Sequence, residues 1–171
     1  MSEATAVHPA EFEVERLLTE CRETRTRRSG PGGQHRNKVE TAVVLEHLPS
    51  GLRAEGGERR SQAENRAVAV RRLRLRLACG LRVRRAVLEP TPRWRQRVRQ
   101  GRLQVSSEHP DYAALVAEAL DHLVLQQADM RAVATAMGVT PTQLAGLFRK
   151  EPAAWEQLNR LRGEHGLTPL K

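Results

Sequence analysis

Residues 30–38 read Gly-Pro-Gly-Gly-Gln-His-Arg-Asn-Lys, and the triplet Gly32-Gly33-Gln34 decides how the surrounding chain is read. Two consecutive glycines tolerate positive φ at little steric cost, so the backbone can turn sharply and bring N–H groups close to a ligand just before an amide side chain. Arg27, Arg28, Arg36 and Lys38 flank the triplet within residues 27–38. Such a cluster suits a polyanion that holds the loop tip in place.

Working outward, the pattern predicts a strand over about 21–28 feeding the loop and a β-branched, apolar strand over 41–47 leaving it. Leu48-Pro49-Ser50-Gly51 places Pro and Gly where a tight turn needs them, and residues 52–56 return as a hairpin partner. Ser61-Gln62-Ala63-Glu64 is a capping box and predicts a helix start. Its inward face is expected to be Ala63, Ala67, Val70, Leu73 and Leu77, with Arg66, Arg71, Arg72, Arg74 and Arg76 outside. Residues 73–77 also alternate as a strand would. For the arginine run, a solvated helix face and an RNA-contacting face both stay open. Upstream, residues 1–8 read as a lead. A short helix is expected from Pro9, with Glu11 and Glu13 in its first turn and Phe12, Leu17 and Leu18 packing inward.

Three blocks occur in a fixed order: Arg28-Ser29-Gly30-Pro31-Gly32-Gly33-Gln34-His35-Arg36-Asn37-Lys38, then Leu48-Pro49-Ser50-Gly51, then Arg60-Ser61-Gln62 with Asn65. Together, over about residues 20–78, they resemble the catalytic domain of class I peptide chain release factors and of the shorter ribosome-rescue peptidyl-tRNA hydrolases. The resemblance implies hydrolysis of the ester joining a nascent peptide to tRNA, with water as nucleophile, on the ribosome. It assigns catalysis to Gly32, Gly33 and Gln34. The glycines would supply conformation, and Gln34 a backbone N–H for developing charge and a side chain that selects water; oriented donors of this kind act by electrostatic preorganisation. Large-subunit rRNA and peptidyl-tRNA are the implied partners, contacted by Arg27, Arg28, His35, Arg36, Asn37, Lys38, Arg60, Gln62 and Arg66. No cofactor and no metal are implied. His35 has the titration range of a general base, yet family members vary at that position, so it is read as an RNA contact or a solvated side chain. Arg36 departs from the family's apolar residue and could add a phosphate contact.

The 171 residues carry a formal net charge of +9. Its distribution is uneven: residues 1–105 hold 23 Lys/Arg against 12 Asp/Glu, whereas residues 106–171 hold 6 against 8. Only the first part has the electrostatics of a nucleic-acid binder, and its excess is mostly arginine. Cys21 and Cys79 are too few and too far apart for a disulfide framework or a zinc site. No membrane partner is expected, since no apolar run reaches spanning length, and the acidic N-terminus supports no targeting peptide, so a cytoplasmic protein is expected.

Arg93, Arg95, Arg97, Arg99 and Arg102 with Trp94 form a basic patch that reads as a linker. Similar patches end the rescue hydrolases and enter the mRNA channel; here the patch is internal, and Arg93, Arg95, Arg97 and Arg99 are expected on rRNA or tRNA backbone. Residues 108–171 read as helical. Within them, residues 130–147 fit a helix-turn-helix, with Ala134 at the helix contact, Gly138 in the turn and Thr140-Pro141 opening the second helix. The net negative charge speaks against duplex DNA, so a protein or a structured RNA is the expected partner of this unit.

The sequence therefore predicts an α+β protein. A lead and short helix occupy 1–20, a release-factor-like catalytic domain of sheet and packed helix 21–88, a basic linker 89–105, and an all-α helix-turn-helix-like unit 106–171. Since only about 20 residues precede the catalytic domain, codon-independent release on stalled ribosomes is the expected function. The competing class is a non-enzymatic ribosome- or RNA-binding module that keeps the loop as an RNA contact.

Overall fold

A computed structural model of the chain describes residues 7–26 and 41–171. They divide into two compact units, one of Phe12–Leu77 and one of Ala78–Lys171 together with the residues up to Glu11.

In the first unit, helix α1 (Val14–Thr19) leads into an antiparallel sheet of β1 (Cys21–Thr26), β2 (Ala42–His47) and β3 (Leu52–Gly56), with β2 central. The central strand buries Ala42, Val43, Leu45 and His47, whereas β1 is an edge strand with four of its six residues exposed. Helix α2 (Gln62–Gly80) begins where Ser61 Oγ accepts from the Glu64 N–H at 3.5 Å. Val70, Leu73 and Leu77 face inward as expected, while Ala63 and Ala67 are exposed and the buried turn positions are Asn65 and Ala69. The reason lies in the strand beneath. A Cβ on Gly56 would sit 2.0 Å from the Asn65 carbonyl oxygen and 2.9 Å from the Ala69 nitrogen, so α2 lies backbone to backbone against the end of β3. That approach rotates the first turns of the helix away from a regular apolar stripe. Arg74, expected outside, is buried and donates to the Phe12 carbonyl.

The β2–β3 turn is held by side chains. His47, 1% exposed, lies 3.0 Å from Glu20 Oε2 through Nε2 and 2.7 Å from Ser50 Oγ through Nδ1. A carboxylate only accepts, so Nε2 carries a proton. Ser50 Oγ in turn accepts from the Leu52 N–H at 3.3 Å, which ties the hydroxyl to its own turn. The Ser–His–Glu order of contacts thus pins a hairpin.

In the second unit, α3 (Pro92–Arg97) and the small hairpin β4 (Val98–Arg99) and β5 (Arg102–Leu103) precede four helices: α4 (Tyr112–Leu125), α5 (Met130–Ala136), α6 (Pro141–Phe148) and α7 (Pro152–Glu164). The stretch 89–105, read from sequence as a linker, is folded. Thr91 caps α3 by accepting from the Trp94 N–H, and Trp94 is fully buried with its indole N–H on the Met137 carbonyl at 2.9 Å. Such a ring buries roughly 150–250 Å², worth about 4–6 kcal/mol at about 25 cal/mol per Å² as an upper estimate. Pro9–Glu11 forms a 3-10 turn against α4, so the helix expected from Pro9 is interrupted and resumes only at Val14, in the other unit.

The helix-turn-helix closes as its residues require. Gly138, at φ +68°, follows α5; the Val139 N–H reaches the Ala134 carbonyl at 3.0 Å and the Gly138 N–H the Thr135 carbonyl at 3.2 Å. This is a Schellman closure, and glycine takes its left-handed position without a Cβ penalty. Thr140 Oγ1 then caps α6 through the Gln143 N–H.

Helix α4 buries every residue from Tyr112 to Leu123, including Glu118, Asp121 and His122. These polar groups are enclosed by Arg85, Glu11, Thr91 and Glu89. Arg85 pairs with Glu11 and with Asp121, Asp121 also accepts from the Val83 N–H, and His122 Nε2 lies 3.1 Å from the Glu89 carbonyl. Glu118 accepts from the Thr91 N–H and hydroxyl, both at 2.7 Å. Burial outweighs those donors and pushes Glu118 up to about 7, and it likewise pushes Asp121 up to about 6. His8 and His122 are lowered to about 4 by the same burial.

Two expectations follow from this packing. Gly56→Ala places its methyl into backbone that cannot move aside as a side chain would, so it should destabilise the protein by roughly 3 kcal/mol, the upper end of overpacking costs. Urea unfolding measures this, and a variant as stable as the parent would refute the close approach. The second concerns pH. Between 4.5 and 7 the folded state keeps the Glu118 proton that the unfolded chain has released, so this residue's contribution falls as pH rises. His8 and His122 work oppositely, because from about 4 to 6.5 only the unfolded chain binds their protons, so their contribution rises with pH. Glu118→Gln removes the falling component. Its unfolding midpoint should therefore climb more steeply than the parent's from pH 4.5 to 6.5, and parallel curves would contradict the buried protonated carboxyl.

Candidate functional site: the frame of the Gly-Gly-Gln segment

Antiparallel neighbours set the ends of the segment that carries Gly-Gly-Gln. Thr26, the last residue of β1, is the register partner of Ala42, the first of β2, so residues 27–41 connect two strands that are paired right up to the connection. Gly32, Gly33 and Gln34, with Arg27, Arg28, His35, Arg36, Asn37 and Lys38, lie outside the described residues. What the structure describes is their frame.

Asn65 organises that frame. It is fully buried near the start of α2, and its amide makes three hydrogen bonds: Nδ2 donates to the Thr41 carbonyl at 2.8 Å and to the Arg59 carbonyl at 3.0 Å, and Oδ1 accepts from the Arg59 N–H at 2.8 Å. One side chain thus joins Thr41, the first described residue after Gly-Gly-Gln, to the segment that leads into α2. An amide can do this because it presents donor and acceptor together; an aspartate would lose both donors. The sequence offered Asn65 only as part of the family-like block, with no periodicity to mark it as buried.

Arg60 is exposed just ahead of α2, and Gln62 is half-buried at its first position. Arg66, one turn on from Gln62, is exposed but engaged, with Nε 2.8 Å from Glu23 Oε2 on β1. Further along, Arg72 pairs with Glu58 and donates to the Glu55 carbonyl at 2.7 Å, and Arg76 donates to the Arg53 carbonyl. Much of the arginine run therefore ties helix to sheet. Glu58 is held down at about 2 by the Gly57 N–H and by Arg72, so it stays ionised for its partner.

The downstream arginines divide. Arg97 meets Asp111 Oδ2 at 2.7 Å, and Arg93 meets Asp111 Oδ1 at 3.3 Å and the Glu11 carbonyl at 3.1 Å. Both cement the second unit. Arg95 is exposed on α3, and Arg99 is exposed opposite Arg102 across the β4–β5 hairpin, with no described carboxylate paired to any of the three. Among the described residues, no group of three or more His, Cys, Asp and Glu is placed to hold a metal, and no helix is long and apolar enough to cross a membrane. Buried Glu118, Asp121 and His122 were missed from sequence; three polar residues inside an otherwise apolar helical run were the available signal.

Comparison with known proteins bears on this frame directly. The chain is 45% identical over 74 residues to peptide chain release factor 1 of Ureaplasma parvum, covering 42% of this chain and 21% of that protein. It is 42% identical over 77 residues to the mitochondrial peptide chain release factor 1 of Bos taurus, covering 45% and 17%. With peptide chain release factor 2 of Variovorax paradoxus the figures are 46% over 66 residues, 39% and 18%. The chain thus spans about a fifth of the length of the curated relatives it matches. The RF-1 domain matches residues 10–112, a range that takes in the Gly-Gly-Gln segment, the sheet, α2 and the folded stretch through α3. With more than half of its length matched, this chain is a member of the RF-1 domain family of peptide chain release factors.

Proposed function

We propose that the protein hydrolyses the ester of peptidyl-tRNA on the ribosome, and that it does so without reading a codon. The observation that carries the first part is the RF-1 domain match across Gly32-Gly33-Gln34, set on a frame in which strand pairing at Thr26–Ala42 and the Asn65 clamp hold the ends of that segment. Water attacks the ester carbonyl carbon, the bond to the ribose oxygen breaks, and the water proton ends on that leaving oxygen. In this reading the Gln34 backbone N–H stabilises the developing charge, its side chain admits water, and the two glycines permit the required turn. A donor fixed before the reaction begins costs no reorganisation during it, so neither a metal nor a catalytic carboxylate is needed. Large-subunit rRNA and peptidyl-tRNA are the partners, and the cytoplasm is the compartment.

Codon independence is supported by the charge of residues 106–171, 6 Lys/Arg against 8 Asp/Glu, which suits contact with protein better than with decoding RNA. Arg95 and Arg99, exposed and unpaired among the described residues, are the proposed phosphate contacts of the basic patch; Arg93 and Arg97 serve the fold first.

Single-turnover peptide release tests the function. Ribosomes carrying peptidyl-tRNA should release peptide when the A site holds no codon or a sense codon, at rates well above those of ribosomes alone. Gly33→Ala should abolish release while ribosome binding persists, whereas Gln34→Ala keeps its backbone N–H and should retain part of the rate. Release only at stop codons, or only with an added partner, would remove the codon-independent reading; no release at all would favour a binding module. A separate measurement concerns the arginines. Arg95→Ala with Arg99→Ala should weaken ribosome binding and lower its salt slope by about 2 without changing the melting temperature, because each lost phosphate contact lowers the slope by about one. Arg93→Ala with Arg97→Ala should instead lower the melting temperature. A reversed pattern would overturn this division.

A further inference from the structure

The second unit carries an open groove of about 960 Å³ between the α4–α5 turn, the outer face of α6 and the segment after α7. Its floor is apolar, formed by Leu125, Met130, Ala145 and Leu167. Leu125 and Leu167 are 37% and 38% exposed, two of the few large apolar side chains that the described residues leave to solvent. Pro141, Thr142, Ala145 and Arg149 line it from α6 and its C-cap at spacings that share one helix face, while Leu144, Leu147 and Phe148 point into the core.

The rim differs in charge from the helical segment that bears it. Residues 106–171 contain six Lys/Arg and eight Asp/Glu, yet four of those six cations line this groove: Arg131, Arg149, Arg162 and Lys171. Of the eight acids only Asp129 does, and its Oδ1 is already occupied by the Arg131 and Ala132 N–H groups at 2.9 and 3.0 Å. Arg162 donates to the Thr168 carbonyl at 3.0 and 2.8 Å and Arg149 to the Lys171 carbonyl. The Thr168 acceptor is neutral, so the Arg162 charge stays uncompensated. The wall is set in advance of any partner, because Asn159 engages Leu170 through both its N–H, at 2.7 Å, and its carbonyl, at 3.3 Å.

We propose that this groove docks a short acidic, amphipathic segment of a partner protein. An apolar floor rewards buried aliphatic side chains, and a cationic rim rewards carboxylates beside them, which is the pattern of helix-in-groove recognition. A nucleic acid would leave the apolar floor unused. The proposal stands apart from the hydrolase reading, since the groove lies outside the residues matched to the RF-1 domain.

Fluorescence anisotropy on the full chain tests it with three probes: a labelled 14-residue helix-forming peptide of glutamates with leucines at i, i+3, i+4 and i+7, the same peptide with lysine for glutamate, and a 12-nucleotide RNA. The acidic peptide should bind, more weakly as salt rises, and the lysine peptide should not. Arg131→Glu with Lys171→Glu should weaken binding about tenfold or more, Leu125→Ser should weaken it several-fold, and Arg102→Glu, outside the groove, should leave it unchanged. Melting curves establish that each variant is folded. Equal binding of both peptides, insensitivity to the groove variants, loss of RNA binding in those variants without peptide binding, or groove-dependent self-association by sedimentation would each overturn the proposal.

Discussion

The contact of Gly56 with the backbone of Asn65 and Ala69 is the constraint on which the first unit is built. A helix normally stands off a sheet by the depth of its side chains; here it touches the end of β3 with main chain. That proximity puts the Asn65 amide within reach of both Thr41 and Arg59, so a packing contact becomes a clamp on the strand leaving the Gly-Gly-Gln segment. The same proximity lets arginines of α2 reach carbonyls and carboxylates of the sheet. Rigid support of this sort is what a loop must have if its activity depends on where a backbone donor points.

The second unit is organised around a different problem, that of placing charge inside an apolar helix. Helix α4 presents Glu118, Asp121 and His122 to a buried layer containing Arg85, Glu11 and Thr91, and each meets at least one partner. Removing one member of such a set costs more than the set contributes, since a buried group is left behind. The layer also fastens the turn before Phe12 to residues some seventy positions later, which explains why Pro9–Glu11 belongs to this unit. Trp94 and Thr91 complete it from the stretch that composition alone marks as a junction.

Charge acts differently in the two places where it is concentrated. Along α2 and α3 many arginines are internal fasteners, and a count of positive residues overstates the surface left for RNA. In the groove beside α6, cations gather within residues 106–171, a segment with 6 Lys/Arg against 8 Asp/Glu. Net charge describes long-range attraction, whereas a site is made by which charges remain uncompensated at close range.

Much was legible in the residues themselves. Short-range chemistry determines turns, caps and strand alternation, so the order of strands about the loop, the Leu48–Gly51 turn, the Ser61 helix start and the Gly138-Thr140-Pro141 helix-turn-helix follow from local sequence. The ordered blocks around Gly32-Gly33-Gln34 likewise mark the family, which the RF-1 domain match over residues 10–112 shows. Tertiary structure alone decided which side chains are spent on the fold. Ala63 and Ala67 lie exposed and Arg74 lies buried because the close approach at Gly56 sets the rotation of α2. Arg93 and Arg97 part company with Arg95 and Arg99 because Asp111 happens to lie within reach of only the first pair. Partners distant in sequence leave no local pattern, and burial, pairing and the charge left over for function all depend on them.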